Sequence, residues 1–562
     1  MRSPVIACVV ALWLATPAVA QPHPPSPAQM DKDLLEVSIA QLQGYYARHT
    51  YTVVQVVQWY LDRIQRYNGA YRALETVLQS QALAAAARED SQAAAGGRQR
   101  GALWGVPIVI KANTSIAGQV TTDGWAGFKV PGHELIAPRD ATIVARLRAA
   151  GAILLGQANM PDFANSDTNR SSSFGRTGNA YDVRFSPGGS SGGIATAVTA
   201  NMAVLGNGSD TGNSIRMPSA TSALIGVFPT RGLVSIAGIA PLDWLLDNTG
   251  PIARNVTDAA IALSVMAGED PLDPATAAAS DAPPGPYTRY LKADALRGKR
   301  FGVPQFILEG AGIPFHGLPA AVPDEAASQL EAEQAIALEP ATRAAFMKAI
   351  GELRAAGATV VFDDSILPAS FAKTASRVST YAYVREGTDK FLNLFGPAQF
   401  HSAEQYAQAL KQPLAPPILG EDPAYARFGD VLISQHNVEQ DPNAEVNYYG
   451  PRRRTLQAYL EPLDRLHLDG YVYPAIQMPP PDETMSQNGH LSDGPHSATG
   501  WVNMIGVPAV VVVGGFYAEG LPFGLEFSAR PWSDGQLLGY AYAWEQATHH
   551  RHAPVLVDHG LL

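Results

Sequence analysis

The chain has 562 residues, 46% of them hydrophobic and 16% charged, with a formal net charge of −11. This is the balance of a globular protein with a large buried fraction and not of a disordered chain. No basic run points to nucleic acid or to an anionic membrane surface, so the acidity speaks to solubility. At the N-terminus Arg2 opens a short positive segment, Val5–Leu14 is an apolar run too short to span a bilayer, and Ala18-Val19-Ala20 offers a small-residue cleavage site. Residues 1–20 are expected to be a signal peptide cleaved after Ala20. That would deliver the mature chain, 21–562, to the periplasm or the exterior. Cys8, the only cysteine, lies in that segment. The mature chain would then have no thiol for catalysis, a disulfide or a metal site.

Pro22–Pro27 reads as a disordered, proline-rich leader. Val53, Val54, Val57, Tyr60, Leu61 and Ile64 recur at helical spacing, which predicts an amphipathic helix over Tyr51–Tyr67. Alanine-rich Ala82–Ala95 is also helical. Strand Val106–Ile110, helix Ala141–Ala150 and strand Ala152–Leu155 then alternate, the pattern of an α/β sheet covered by helices on both faces. A helix over Ile194–Ala203 opens behind a glycine-rich run, and the chain returns towards Asp210. Asp270–Pro286 reads as a surface connection and Pro314–Glu333 as an irregular acidic stretch. Gly298–Val303 returns to the sheet, and Glu339–Ala356 with Thr359–Phe362 repeats helix then strand. Phe371–Tyr449 is helical and aromatic-rich, suited to a lid or substrate wall. Gly470–Pro474, Val507–Val513 and Leu521–Phe527 are strands, and Asp534–Thr548 is a closing helix. No internal repeat or second-domain signature appears, so one large domain with insertions is expected, most variable over about 270–500.

Three pieces carry chemistry only in combination. Gly188-Gly189-Ser190-Ser191-Gly192-Gly193 alone is a linker or a phosphate-cradling loop, although Ile194 stands where a P-loop places its lysine. Ser214, in Asp210-Thr211-Gly212-Asn213-Ser214-Ile215-Arg216, would alone be a turn serine. Lys111, closing Gly105-Val106-Pro107-Ile108-Val109-Ile110-Lys111, would alone be a solvated charge. Together they offer a hydroxyl nucleophile, a second hydroxyl to relay its proton, and an amine to take it.

This set resembles the amidase signature family. The resemblance continues through Gly178–Asp182, Gly226–Gly232, Asn503–Ala509 and Gly520–Leu525, and so covers most of the mature chain. Within the family the layout is similar to bacterial peptide amidases, including the Leu296-Arg297-Gly298-Lys299-Arg300 segment. The resemblance implies the amidase signature fold, with a large mixed sheet. It implies Ser214 as nucleophile, Ser190 as relay following a cis peptide, and Lys111 as base. Backbone N–H groups of Thr211, Gly212, Asn213 and Ser214 would hold the oxyanion. Ser191 would donate a supporting hydrogen bond, and Asp210 with Arg216 would brace the loop. No cofactor and no metal is implied.

Two departures stand out. Asn213 replaces the family's glycine, narrowing the approach to the oxyanion loop or adding a polar contact. Gln157-Ala158 replaces a lysine–threonine pair before Asn159. His549, His550 and His552 read as a solvated helix end and not a metal site. Tyr381, Tyr383, Tyr448 and Tyr449 line a pocket or serve as ordinary aromatics, and the sequence leaves both open.

The expected activity is hydrolysis of a carboxamide, a peptide C-terminal amide or an N-acyl amine. Esters, carbamates and aryl amides share the same acyl-enzyme. The other readings are an amidotransferase subunit feeding ammonia to a glutamylated transfer RNA, against which the signal peptide argues, and a non-catalytic binding protein. The expected partner is a small-molecule or peptide amide, without nucleic acid or a stable membrane anchor.

Overall fold

A computed structural model describes residues 26–96, 101–412, 414, 416–419, 437–485 and 492–557. The predicted signal peptide lies outside them. Pro27 belongs to no disordered leader: it is the first residue of a helix, Pro27–Leu34, capped by the Ser26 side chain. Proline suits that position, because the first helical N–H has no partner within the helix.

The core is a mixed eleven-stranded sheet. In chain order its strands are β1 (Leu74–Val77), β2 (Val106–Lys111), β3 (Ala152–Ala158), β4 (Leu205–Asp210), β5 (Ile225–Phe228) and β6 (Asn248–Ala253). They continue with β7 (Arg300–Gly302), β8 (Thr359–Val361), β9 (Gly470–Pro474), β10 (Ala509–Phe516) and β11 (Pro522–Ser528). Across the sheet the order is β1-β3-β2-β4-β6-β5-β10-β11-β9-β7-β8. β2 runs parallel to both β3 and β4. β4, β6, β5, β10 and β11 pair antiparallel in turn.

Both faces are covered, and β10 shows why. Successive side chains of a strand point to opposite faces. Val510 and Val512 join Leu537, Leu538 and Ala541 of the closing helix in one cluster. Val511, between them, packs instead with Met217 and Ala220 of helix Arg216–Thr221. An apolar run without alternation, as in this strand, is therefore what a sheet buried on both sides requires.

Among the described residues the predicted helices and strands are present, with ends shifted by a few residues; the closing helix spans Asp534–Thr548, and residues 413, 415 and 420–436 of the expected helical stretch lie outside them. A second expectation is corrected. Part of the stretch expected to be irregular is a helix, Asp324–Glu333, with Pro323 at its cap and Asp324 and Glu325 in its first turn. Acidic residues there favour a helix start, because they face the positive end of its dipole. Among the described residues no helix is long and apolar enough to cross a membrane.

Candidate active site

Lys111 is the last residue of β2 and is fully buried. In the parallel neighbour β4, Leu205 lies opposite Ile108 and Gly206 opposite Val109. This register brings the end of β2 level with the last residues of β4, which runs on to Asp210, and the Lys111 side chain reaches Ser209. Lys111 Nζ lies 2.9 Å from Ser209 Oγ, 3.2 Å from the Ser209 carbonyl and 2.6 Å from Ser190 Oγ. Burial lowers the Lys111 pKa to about 7, against the raising influence of Asp123, Asp210 and Asp247. Removal from water penalises the ammonium more than the amine.

Ser190 is held by the glycine-rich run. The Gly189–Ser190 peptide is cis, as the resemblance implies. Glycine is required at 189 and 193 by close approach. A Cβ at Gly189 would meet the Ser166 carbonyl at 2.2 Å, and one at Gly193 the Asn159 carbonyl at 2.2 Å. The helix behind the run spans Gly192–Thr199 and is wholly buried.

The loop after β4 turns in six residues, and Asp210 closes it. Its Oδ2 accepts from the Ile215 N–H at 2.9 Å and from Arg216 Nε at 3.1 Å. Arg216 donates to the Gly212 carbonyl at 2.8 Å, to Asn503 Oδ1 at 2.6 Å, to the Thr499 carbonyl at 2.9 Å and to Glu526 Oε1 at 3.1 Å. All three charged side chains are fully buried, so this is no surface ion pair. Burial works to raise Asp210, but Arg216, the Ile215 N–H and Asn503 together outweigh it and the Asp210 pKa falls below its ordinary value. Burial raises Glu526 to about 7 in spite of Arg216.

At the tip, Ser214 is 5% exposed. It opens into a cavity of about 250 Å³ that Thr211, Gly212 and Asn213 also line. Among the described residues, the backbone N–H groups of Thr211 to Ser214 donate to no carbonyl. Such unspent donors suit a developing oxyanion. The Ser191 N–H donates to the Ser214 carbonyl at 3.2 Å and its hydroxyl to the Ser209 carbonyl at 3.2 Å, which ties the two loops together. Lys111 and Ser190 are thus in direct contact, whereas no hydrogen bond joins Ser190 to the Ser214 hydroxyl among the described residues. The Asn213 side chain adds a polar contact, donating to Asp167 Oδ1 at 3.1 Å. Gln157 is spent on the Val120 carbonyl at 2.9 Å.

Several neighbours escaped the sequence reading. Thr211 Oγ1 donates to Asp247 Oδ1 at 2.6 Å, and Asp247, lifted to about 6 by burial, leaves Oδ2 without a partner among the described residues. Asp123, likewise buried with Oδ1 unpartnered, is pushed well up by desolvation. Phe315 covers Gly212, where a Cβ would meet its ring at 2.7 Å. Buried His316 pairs with Asp243 at 2.8 Å. A lone acid in a turn, such as Thr121-Thr122-Asp123-Gly124, carries no sequence signal of burial.

The expected wall also moves. Ala311, Gly312, Ile313, Phe315, Gln334 and Ile336 line the cavity at Ser214. The Phe371–Tyr449 stretch contributes instead to a second cavity of about 800 Å³, lined by Trp244, Phe391, Phe395, Tyr448 and Tyr449 among others. Tyr381 and Tyr383 are buried in the packing. Of the C-terminal histidines, His549 and His552 are exposed, as expected of a solvated helix end, with His552 stacked on Phe516, while His550 is partly buried and contacts Glu352 at 2.7 Å. Among the described residues, no group of three His, Cys, Asp or Glu could hold a metal ion.

Comparison with known proteins agrees with this architecture. A family model described as Amidase matches residues 55–333 and 330–538. A glutamyl-tRNA(Gln) amidotransferase subunit from Symbiobacterium thermophilum is 31% identical over 536 residues, which cover 93% of this chain and 99% of that protein. Its counterpart from Moorella thermoacetica is 32% identical over 503 residues, covering 88% and 93%. Among solved structures, native peptide amidase from Stenotrophomonas maltophilia matches with a TM-score of 0.74 at 29% identity, covering 93% of this chain and 99% of that one. The mixed sheet thus has its counterpart in a known lineage, and the chain belongs to the amidase signature family of enzymes acting on amide C–N bonds.

Proposed function

We propose that the protein is a serine amidase hydrolysing a carboxamide through an acyl-enzyme on Ser214. The observation that carries this reading is the buried Lys111, 2.6 Å from Ser190 Oγ, with a pKa lowered to about 7. A neutral amine at that position accepts the Ser190 proton while donating its own hydrogens to Ser209. Ser214 Oγ attacks the amide carbonyl carbon, its proton passes to Ser190, and the Ser190 proton passes to Lys111. The carbonyl oxygen becomes an oxyanion facing the N–H groups of Thr211 to Ser214. Collapse breaks the C–N bond, the leaving amine takes the proton back through Ser190, and water cleaves the ester by the same route. Ester, carbamate or aryl-amide substrates would pass through the same intermediate.

The amidotransferase relatives favour a second reading, in which the chain releases ammonia from glutamine as one part of a larger enzyme. Against it, among the described residues no lysine or arginine lines the cavity to pair with a substrate carboxylate. The leader sequence supports a secreted or periplasmic enzyme, cleaved after Ala20. The test is ammonia and amine release from peptide amides, fatty amides, anilides, carbamates and glutamine, with Ser214→Ala beside the wild type. Release from one class, lost by about 10³-fold or more in the variant, is expected. Undiminished release by Ser214→Ala overturns the assignment, and release from glutamine alone favours the second reading.

A further inference from the structure

The cavity at Ser214 has a lining of two chemical kinds. Leu242, Ala311, Ile313, Phe315, Ile336 and Met504 supply apolar surface. Asn165, Ser166, Asp167, Asn213, His496 and Ser497 supply polar surface. Among the described residues Asp167 is the single carboxylate of the lining, and no lysine or arginine joins it there.

Asp167 is held from two sides. Its Oδ1 accepts from Asn213 Nδ2 at 3.1 Å, and its Oδ2 lies 3.3 Å from His496 Nδ1. The Asp167 and His496 side chains remain 26% and 34% exposed. A carboxylate has about four lone-pair sites, so two hydrogen bonds leave acceptor capacity towards the cavity. Neutral His496 donates from Nδ1 and leaves the carboxylate its full charge, whereas the imidazolium offsets part of it. The Nδ1 hydrogen bond to Asp167 raises the His496 pKa, as a nearby negative charge should. Asn213 is the residue before Ser214, and Asp167, Asn213 and Ser214 line the same cavity. In an amino-acid amide the ammonium nitrogen is two bonds from the carbonyl carbon, and the side chain leaves the same α-carbon.

We propose that Asp167 is a specificity-determining residue that receives a substrate ammonium, so that the enzyme selects amides with a free amino group next to the carbonyl and an apolar side chain. The proposal rests on Ser214 marking the reacting end of this cavity. The apolar surface takes the side chain, Asp167 takes the ammonium, and the carbonyl points to the oxyanion loop. An N-acylated amide of the same residue loses the charge and keeps everything else.

The test uses Ser214→Ala, which stops turnover, and isothermal titration with leucinamide and N-acetyl-leucinamide. It is run at about pH 7, below the α-amino range of roughly 7.7–8.0. Leucinamide is expected to bind about ten-fold tighter or more, a size ordinary for a charge-assisted hydrogen bond. Adding Asp167→Asn should shrink the ratio below about two-fold, with thermal unfolding showing that the variant is folded. Equal affinities, no leucinamide binding, or a preference that survives Asp167→Asn overturns the proposal. Turnover of the same amides by the wild-type protein is read separately. A preference that depends on Asp167 without any hydrolysis upholds the proposal and rejects the serine-amidase reading alone.

Discussion

At the scale of single residues, Lys111 and Arg216 show opposite uses of burial. Lys111 has hydroxyls and a carbonyl around Nζ but no carboxylate in contact, so desolvation wins and its pKa falls to about 7. The sign for activity follows. Below that value the ammonium cannot take the Ser190 proton, so kcat/KM should climb through about pH 7 and level off above it. A pH–rate profile flat between about 5 and 9 would exclude Lys111 as the base. Arg216 is paired on both sides by Asp210 and Glu526. Arg216→Met should therefore cost about 3–5 kcal/mol, the usual penalty for leaving buried charge uncompensated, seen as a lower denaturation midpoint. A midpoint unchanged from wild type would mean that the acids take up protons without cost. Of this network the motif singles out only Asp210 and Arg216. Glu526 sits in a strand that reads as apolar, and its partner lies 310 positions away in sequence.

At the scale of elements, the site depends on two loops meeting at the ends of neighbouring strands. Helix Gly192–Thr199 must lie close to the chain after β3, and Gly193 sets the distance. A Cβ there would meet two backbone carbonyls, of Asn159 at 2.2 Å and of Ala73 at 2.7 Å. Gly193→Ala should destabilise the fold by about 1–3 kcal/mol, as overpacking does. It should also lower kcat by displacing Ser190, three residues away, and denaturation with parallel kinetics checks both. Loss of stability with kcat intact would show that the helix moves without the serine loop. The elements legible in sequence are those whose periodicity is strong: Val53–Tyr71 buries one stripe, and β2 and β3 are apolar throughout. Helix Asp324–Glu333 was hidden because its apolar face is short and its acidic first turn resembles a surface loop. Segment 311–316, which walls the cavity, has no periodicity at all. It is placed by contacts such as Phe315 over Gly212 and His316 with Asp243.

At the scale of the whole molecule, one sheet carries Lys111, the loop behind β4 and, through β11, Glu526. The leader belongs to this scale as well. If residues 1–20 direct export, N-terminal sequencing of protein recovered from the periplasm or medium should begin at Gln21. Recovery only from the cytosol with residues 1–20 attached would refute that placement. By itself the sequence determined the α/β alternation, the two serine loops and the lysine at a strand end, because periodicity and short motifs are local properties of the chain. The tertiary structure alone decided which surface faces the substrate and which charges surround the amine. Asp167, Asp247, Glu526 and His496 come from distant segments, and where they are placed depends on packing that no local pattern encodes.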